Sequence, residues 1–207
     1  MTVTNKEYHY TLYYYDQSGN LAQTVPPNGV KPLNTAQVNQ VISGTVIYPA
    51  HELVTGYRYN SKNQLVYQNS PDGGEGRFWY NAIGQLRLSQ NARQQSSNQY
   101  SYTKYDPIGR VLETGEMTST DPLDSLVSRI RTPDFPQRPG YTCTDITLTG
   151  YDREKSGTSP YLVQENLRGR VSWTAELEKG KSDTLMTVYS YDPHEDRPLG
   201  NDPYGSF

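Results

Sequence analysis

The chain has little sulfur and almost none of the usual core aromatics: one cysteine, three methionines, three phenylalanines and two tryptophans among 207 residues. Because Cys143 is alone, no disulfide can form within the chain and no zinc site can be built on cysteine. The 19 Lys and Arg residues are scattered and are outnumbered by 22 acidic residues. The sequence therefore offers no basic surface for nucleic acid.

Long apolar segments are also missing. No stretch approaches eighteen consecutive apolar residues, so we expect no membrane-spanning helix. The start, MTVTNKEYHY, has neither the basic segment nor the apolar run of a signal peptide. If the protein is exported, its signal lies elsewhere or the chain is a piece of a longer one.

Tyrosine is the residue type in excess, at 19 copies. Hydrophobic residues make up only 33% of the chain and the mean hydropathy is −0.83, values that alone would predict disorder. Disordered chains, however, are poor in aromatics. Tyrosine joins an apolar ring to a hydroxyl and suits thin sheets with partly wet faces. The composition thus predicts a folded, β-rich chain.

A motif beginning with Tyr-Asp or Tyr-Asn recurs along the chain. Gly or Asn follows three residues after the Asp or Asn, and Leu or Val two residues later. Clear copies lie near 13–21, 57–65, 78–86 and 103–111, and degraded copies near 151–152, 166–173 and 189–192. The motif residues of the clear copies are Tyr15, Asp16, Gly19 and Leu21; Tyr59, Asn60, Asn63 and Leu65; Tyr80, Asn81, Gly84 and Leu86; and Tyr105, Asp106, Gly109 and Val111.

Each motif position has a mechanical explanation. The alternating residues before each Tyr are typical of a strand with one buried face. Asp or Asn accepts hydrogen bonds from backbone N–H groups about two residues on and so starts a turn. Gly or Asn adopts the positive φ at the chain reversal, and Leu or Val opens the next strand. The sequence therefore predicts an all-β ribbon of antiparallel hairpins, one repeat region over residues 1–207.

Two inserts and a tail interrupt this pattern. Residues 33–44 and 120–131 predict short helices, the first with Asn34 as N-cap. The second has Asp121 as expected N-cap and Pro122 at its first helical position. Residues 193–207 predict an irregular tail.

Several residues are candidates for chemistry. The repeat aspartates could pair as catalytic carboxylates, but their positions at turn starts favour turn capping. His9, His51 and His194 lack metal-ligand spacing, and no base is identifiable for Cys143. We therefore expect no catalytic residue, no metal and no cofactor. Tyr57, Trp79 and Trp173 could stack on sugar rings, although the same aromatics are needed as core.

The Tyr-Asp-x-x-Gly-x-Leu unit at a period of roughly twenty residues resembles the YD repeat of RHS proteins. That family includes the tyrosine-rich C component of bacterial toxin complexes and the teneurins, and the segments TVPPNGV and RFWYNAIGQL resemble those of large bacterial members. The resemblance implies a sheet that spirals into a shell around a toxin or effector segment. It implies adjacent repeats of a secreted or cell-surface parent chain as partners, with a non-catalytic, structural role. The alternative is a glycan-binding or adhesion module.

Overall fold

A computed structural model describes residues 10–137, 140–157, 163–181 and 184–192. These residues form mostly antiparallel sheet, with eleven strands and three short α-helices, which confirms the all-β prediction. The strands are β1 (Leu12–Tyr15), β2 (Leu21–Val25), β3 (Thr55–Tyr59), β4 (Leu65–Ser70), β5 (Gly74–Tyr80), β6 (Leu86–Asn91), β7 (Gln99–Tyr105), β8 (Val111–Thr118), β9 (Thr142–Tyr151), β10 (Val171–Leu177) and β11 (Thr184–Val188). The helices are α1 (Thr35–Ile42), α2 (Ala92–Gln95) and α3 (Leu123–Arg129).

The chain divides into two compact units, one of residues 1–79 with 89–96 and one of residues 80–88 with 97–207. In the first unit, β1 to β5 pair in sequence order, each antiparallel to the next. In the second unit, β7 to β11 pair in the same way. Each unit is therefore built by strands that pair with their neighbours in sequence.

Helix α1 lies within the insert 33–44. The Asn34 side chain accepts the Gln37 N–H at 2.9 Å, and the Gln37 side chain accepts the Asn34 N–H at 2.9 Å. This reciprocal capping box satisfies two N–H groups that a helix start leaves free. No residue of α1 is buried, so local hydrogen bonds contribute more to this helix than packing does.

Helix α3 lies within the insert 120–131, and Leu126 inside it is fully buried. The expectation that Asp121 caps α3 is wrong: Pro122 is the N-cap, without a side-chain cap bond. The Asp121 carboxylate is used elsewhere, because it accepts Arg129 Nη1 at 2.6 Å and the Tyr141 hydroxyl at 3.1 Å.

Buried apolar side chains lie mainly in the second unit. They include Tyr102, Met117, Leu126, Ile130, Phe135 and Ile146, whereas Val25 is buried in the first unit. Polar side chains are buried in the second unit as well, among them Arg87, Glu113 and Ser172. The core is thus thin and partly polar, as a tyrosine-rich composition predicts.

Candidate functional site: the repeat turn and its tyrosine

The hairpin turn has the same backbone geometry in all four clear copies. In the first copy the Asp16 N–H donates to the Asn20 carbonyl at 2.9 Å, and the Gly19 N–H donates to the Asp16 carbonyl at 3.1 Å. The equivalent pairs of bonds start at Asn60, Asn81 and Asp106 and span 2.8 to 3.1 Å. The repeated motif therefore encodes one turn, used four times.

The leading Asp or Asn holds this turn through its side chain. Asp16 Oδ1 accepts the N–H groups of Ser18 and Asn20, both at 2.9 Å. Asp106 Oδ1 accepts those of Ile108 and Arg110 at 3.0 and 2.8 Å. These bonds satisfy turn N–H groups that no strand partner reaches.

The side chain four residues after the Asp or Asn complements it, a relation that the sequence analysis missed. Where the copy has Asp, the partner donates: Arg110 Nε lies 2.7 Å from Asp106 Oδ2. Where it has Asn, the partner accepts: Gln64 and Gln85 each take an amide N–H, from Asn60 and Asn81, at 2.8 Å. Pairing of Asp with a donor and of Asn with Gln is visible in the sequence and could have been found there.

The third position after the Asp or Asn has positive φ in every clear copy. The angles are 81° at Gly19, 57° at Asn63, 92° at Gly84 and 92° at Gly109. This region favours glycine and tolerates asparagine, the two residue types found there.

A β-bulge accompanies these turns. The motif Tyr faces the motif Leu or Val, as in Tyr15 opposite Leu21, but Tyr14 faces Gln23, so Ala22 is the extra residue. The same shift follows Leu65 and Val111. A bulge strengthens the local right-handed twist of a strand pair, so each of these copies adds twist at the same point.

Residues 151–152 and 166–173 are two halves of one copy rather than two degraded copies. Tyr151 faces Val171, and the Asp152 N–H donates to the Arg170 carbonyl at 3.2 Å. Asp152 Oδ1 accepts the Gly169 N–H at 2.6 Å, and Gly169 has a φ of 76°. The turn is rebuilt across an insert, which a fixed spacing in the sequence cannot detect. The turn expected after Tyr191-Asp192 lies outside the described residues, as does the predicted tail.

In the second unit, three motif tyrosines each connect their copy to the copy before it. The hydroxyl of Tyr105 donates to the Leu86 carbonyl at 3.0 Å, and that of Tyr151 to the Val111 carbonyl at 2.9 Å. The hydroxyl of Tyr191 donates to the Val171 carbonyl at 2.8 Å. The acceptor is each time the motif Leu or Val of the preceding copy. We call this contact the tyrosine latch.

Arginine stacking reinforces two of these latches. The Arg110 guanidinium lies 4.2 Å from the centroid of the Tyr151 ring, and that of Arg170 lies 4.8 Å from the Tyr191 ring. Each arginine directly precedes the motif Val whose carbonyl accepts the hydroxyl. Cation–π contact holds the ring while the hydrogen bond holds its tip.

Arg110 also joins two turns by charge. Its Nη2 lies 2.7 Å from Asp152 Oδ2, and its Nε lies 2.7 Å from Asp106 Oδ2. The hydrogen bond from Arg110, followed by the Gly169 N–H, holds the pKa of Asp152 below its ordinary value. Burial opposes ionisation of Asp106, but its hydrogen bonds with Arg110 outweigh burial and lower its pKa. Consecutive turns in the second unit are therefore electrostatically coupled.

In the first unit, consecutive turns meet through amides. Asn20 Nδ2 donates to Asn63 Oδ1 at 3.1 Å, which links the turn of the first copy to that of the second. The tyrosine of the first copy, Tyr15, is 64% exposed. It lies in β1, which pairs with β2 along one edge within the described part of the chain.

A second polar cluster is buried between β7 and β8. Glu113 accepts the Tyr102 hydroxyl at 2.6 Å and lies 3.3 Å from Lys104 Nζ. Burial, followed by the hydrogen bond to Glu113, raises the pKa of Tyr102. The phenol therefore stays protonated, and the Glu113 charge is balanced by Lys104. The sequence does not reveal this cluster because its members are ordinary strand residues.

The residues considered for glycan stacking are half-buried. Tyr57 and Trp79 lie in the first unit, and Tyr57 lines a cavity of about 400 Å³ with Tyr67, Arg58 and Asn69. Trp173 lies in the second unit, where Lys155 Nζ is 4.5 Å from its ring centroid. The Trp173 ring occupies the space that a side chain at Gly150 would need. Lys155 therefore already occupies a position over the Trp173 ring that a stacked sugar would use.

The remaining candidate residues are Cys143 and the three histidines. Cys143 is half-buried in β9, and His51 bonds the Lys31 N–H and the Tyr14 hydroxyl, each at 3.0 Å. His9 and His194 lie outside the described residues. Among the described residues, no three His, Cys, Asp or Glu side chains are grouped to hold a metal ion. In that same part of the chain, no helix has the length and apolarity needed to cross a membrane.

Comparison with known proteins gives partial similarities. No family model matches the chain. Over 109 residues, 52% of the chain, it is 30% identical to "Salivary gland surface protein 1" of Aedes aegypti, and the match spans 3% of that protein.

Among solved structures, the chain is similar to TcdB2-TccC3-Cdc42, with 17% identity and a TM-score of 0.43 over 79% of this chain and 6% of that one. It is similar to TcdB2-TccC3 without its hypervariable C-terminal region, with 16% identity and a TM-score of 0.42 over 81% and 6%. It is also similar to the Photorhabdus luminescens Tc holotoxin pore, with 15% identity and a TM-score of 0.42 over 81% and 6%.

Proposed function

We propose that the chain is a non-catalytic structural segment of a YD-repeat shell that encloses or presents a toxin or effector segment of a larger protein. The observation that carries this proposal is the tyrosine latch. Three successive motif tyrosines, Tyr105, Tyr151 and Tyr191, each hold the backbone of the copy before them. The repeat side chains are thereby used to join copies, which is what a wall element requires.

The bulges support the same proposal. An extra residue at the same place in successive copies adds twist in a regular way. A sheet made of such copies curves as further copies are added, and curvature is needed to enclose a segment. The partners we propose are adjacent repeats of the parent chain and the enclosed segment.

We propose that the parent protein is secreted or lies at the cell surface. The sequence resemblance to RHS proteins supports this location. The matched Aedes aegypti protein is likewise named as a surface protein.

Protease protection in the full-length parent protein tests the shell role. We expect the segment downstream of the repeats to survive limited proteolysis in the native protein and to be cleaved after denaturation. Replacing Tyr105, Tyr151 and Tyr191 together with Phe should increase its cleavage, because the wall loses three hydrogen bonds. Tyr48→Phe is the matched control, since that side chain is 85% exposed. Equal cleavage of the segment in native and denatured protein would contradict the proposal.

A second candidate function is carbohydrate binding at Tyr57. Its cavity of about 400 Å³ combines two aromatic rings with the polar side chains of Arg58 and Asn69, a lining that suits a sugar. Tyr57→Ala should then abolish retention on a glycan array. Absence of any array signal for the wild-type chain would dismiss this function and leave the shell role untouched.

A further inference from the structure

A cavity of about 320 Å³ opens between two repeat turns of the second unit and the segment that follows α3. One wall is the turn Asn81–Gln85, and another is the turn that contains Asp106 and Pro107. Arg131 and Pro133 close the third side. Its volume is at the lower end of the range for ligand pockets and is sufficient for one large side chain.

The walls of this cavity are held in place by buried hydrogen bonds. Arg87 is 3% exposed, and its guanidinium donates to the carbonyls of Thr103, Pro133 and Phe135 at 2.8, 3.1 and 2.6 Å. This single side chain fastens the segment after α3 to the sheet. The latch of Tyr105 fixes another wall. The cavity is therefore preformed, which lowers the ordering cost of binding.

The turns beside the cavity have isoleucine at a position where the turn geometry does not require an apolar residue. Ile83 and Ile108 occupy the second position after the motif Asn or Asp and are 79% and 76% exposed. The equivalent residues in the first unit are Ser18 and Lys62. All four turns have the same backbone hydrogen bonds, so the isoleucines do not serve the turn itself. An exposed apolar side chain at a concave site, as Ile83 is at this cavity, is typical of a binding surface.

Among the residues that line the cavity, the free charge is positive. Arg87 is bonded to carbonyls, and Asp106 is paired with Arg110. Arg131 is exposed and has no ion-pair partner within the residues that the structure describes. An apolar cavity with a cation at its mouth complements an apolar group next to a carboxylate.

We propose that this cavity is a docking site for a partner polypeptide that inserts one large apolar side chain and sets an adjacent carboxylate against Arg131. Ile83 forms the apolar rim on one side, and Pro107 and Pro133 form the rest. This site does not depend on the shell role, since any soluble partner of that chemistry could use it.

The test is a titration of the isotope-labelled chain with acetyl-Glu-Phe-amide and, as its matched control, acetyl-Gln-Phe-amide. The amide resonances of Ala82, Gln85 and Asp106 report on the cavity, and that of Ser18 reports on the equivalent turn of the first unit. We expect saturable shifts at the cavity with a Kd on the order of 1 mM for the Glu peptide. The Gln peptide should bind about two- to fivefold more weakly, as expected for one exposed ion pair.

Two exposed substitutions separate the parts of the site. Arg131→Gln should make the two peptides bind with equal affinity, and Ile83→Ser should weaken the binding of both peptides. Ile42→Ser is the control: Ile42 is as exposed as Ile83 but lies on α1, so this substitution should change neither affinity. Absence of saturable shifts, equal affinity of the wild-type chain for both peptides, or equal shifts at Ser18 would each overturn the proposal.

Discussion

At the scale of the residue, the tyrosine hydroxyl explains why the repeat uses Tyr and not Phe. A phenylalanine ring could fill the same space and contact Arg110 or Arg170 in the same way. Only the hydroxyl can reach the carbonyl of Leu86, Val111 or Val171 in the preceding copy. A partly buried carbonyl without a donor is costly, so each latch favours one register between copies.

Asp152 makes the joined turns sensitive to acid. Its pKa in the folded chain is held below the ordinary value of 3.8 by Arg110 and the Gly169 N–H. A carboxyl with a lowered folded pKa stabilises the fold above its unfolded pKa, and this contribution is lost as pH falls through the folded pKa. We therefore expect the urea midpoint of the wild type to exceed that of Asp152→Asn at pH 7 and pH 5. The two midpoints should converge as pH falls below about 4. A difference that stays constant down to pH 3 would contradict this account.

At the scale of the element, the turn is the unit that the sequence encodes. Its Asp or Asn accepts turn N–H groups, its Gly or Asn adopts the positive φ, and its Leu or Val opens the next strand. The copy at Asn63 shows which substitution this backbone accepts, because Asn63 has a φ of 57° where other copies have Gly.

Substitutions at Gly19 test the turn directly. Gly19 has a φ of 81° and open space where a Cβ would lie, so only backbone strain opposes a side chain there. Gly19→Ala should lower the free energy of unfolding by about 1 kcal/mol, and Gly19→Asn should lower it by less. Urea denaturation of both variants measures the difference. An Asn variant that is less stable than the Ala variant would be inconsistent with the turn as described.

Helix α1 provides a contrasting element, because none of its residues is buried. Asn34→Ala removes the capping box, which is worth about 1 kcal/mol to a helix. Since α1 contributes little packing, we expect faster amide exchange over residues 35–42 with an unchanged melting temperature. A fall in the melting temperature together with the exchange protection would show that α1 is coupled to the sheet.

The sequence predicted elements whose signals are local. The four turns and the position of α1 follow from residues within a few positions of each other, such as Asn34 and Gln37. Features that depend on distant partners were not predictable. One example is the copy divided between Tyr151-Asp152 and Gly169-Val171, which has a long insert. Another is Asp121, whose carboxylate bonds Arg129 and Tyr141 instead of capping α3.

In the candidate site as well, local contacts were predictable and contacts between distant residues were not. Asp16 and Asp106 act within their own turns, and their side-chain bonds to turn N–H groups were anticipated. The tyrosine latch was not, because the acceptor carbonyl belongs to another copy and carbonyls leave no signature in sequence. Arg87 was missed for a related reason: its three acceptors are main-chain atoms on different segments.

At the scale of the whole molecule, apolar side chains are exposed in the first and last of the paired strands. Tyr13 and Tyr15 in β1 are 58% and 64% exposed, and Leu185 in β11 is 68% exposed. Strands with exposed edges and apolar faces tend to pair with other chains. We therefore expect a polypeptide of residues 1–207 to self-associate as its concentration rises. Sedimentation velocity measures this, and a monodisperse monomer that melts cooperatively would contradict it.

The central claim is that Tyr105, Tyr151 and Tyr191 join consecutive copies through their hydroxyl groups. Its most direct test is urea unfolding of the triple variant Tyr105→Phe, Tyr151→Phe and Tyr191→Phe, compared with a control triple in which Tyr13, Tyr15 and Tyr48 become Phe. The control tyrosines are 58%, 64% and 85% exposed. We predict that the latch triple loses about 3 kcal/mol of unfolding free energy, about 1 kcal/mol for each hydroxyl. The control triple should lose less than about 1 kcal/mol. Equal losses in the two triples would contradict the account.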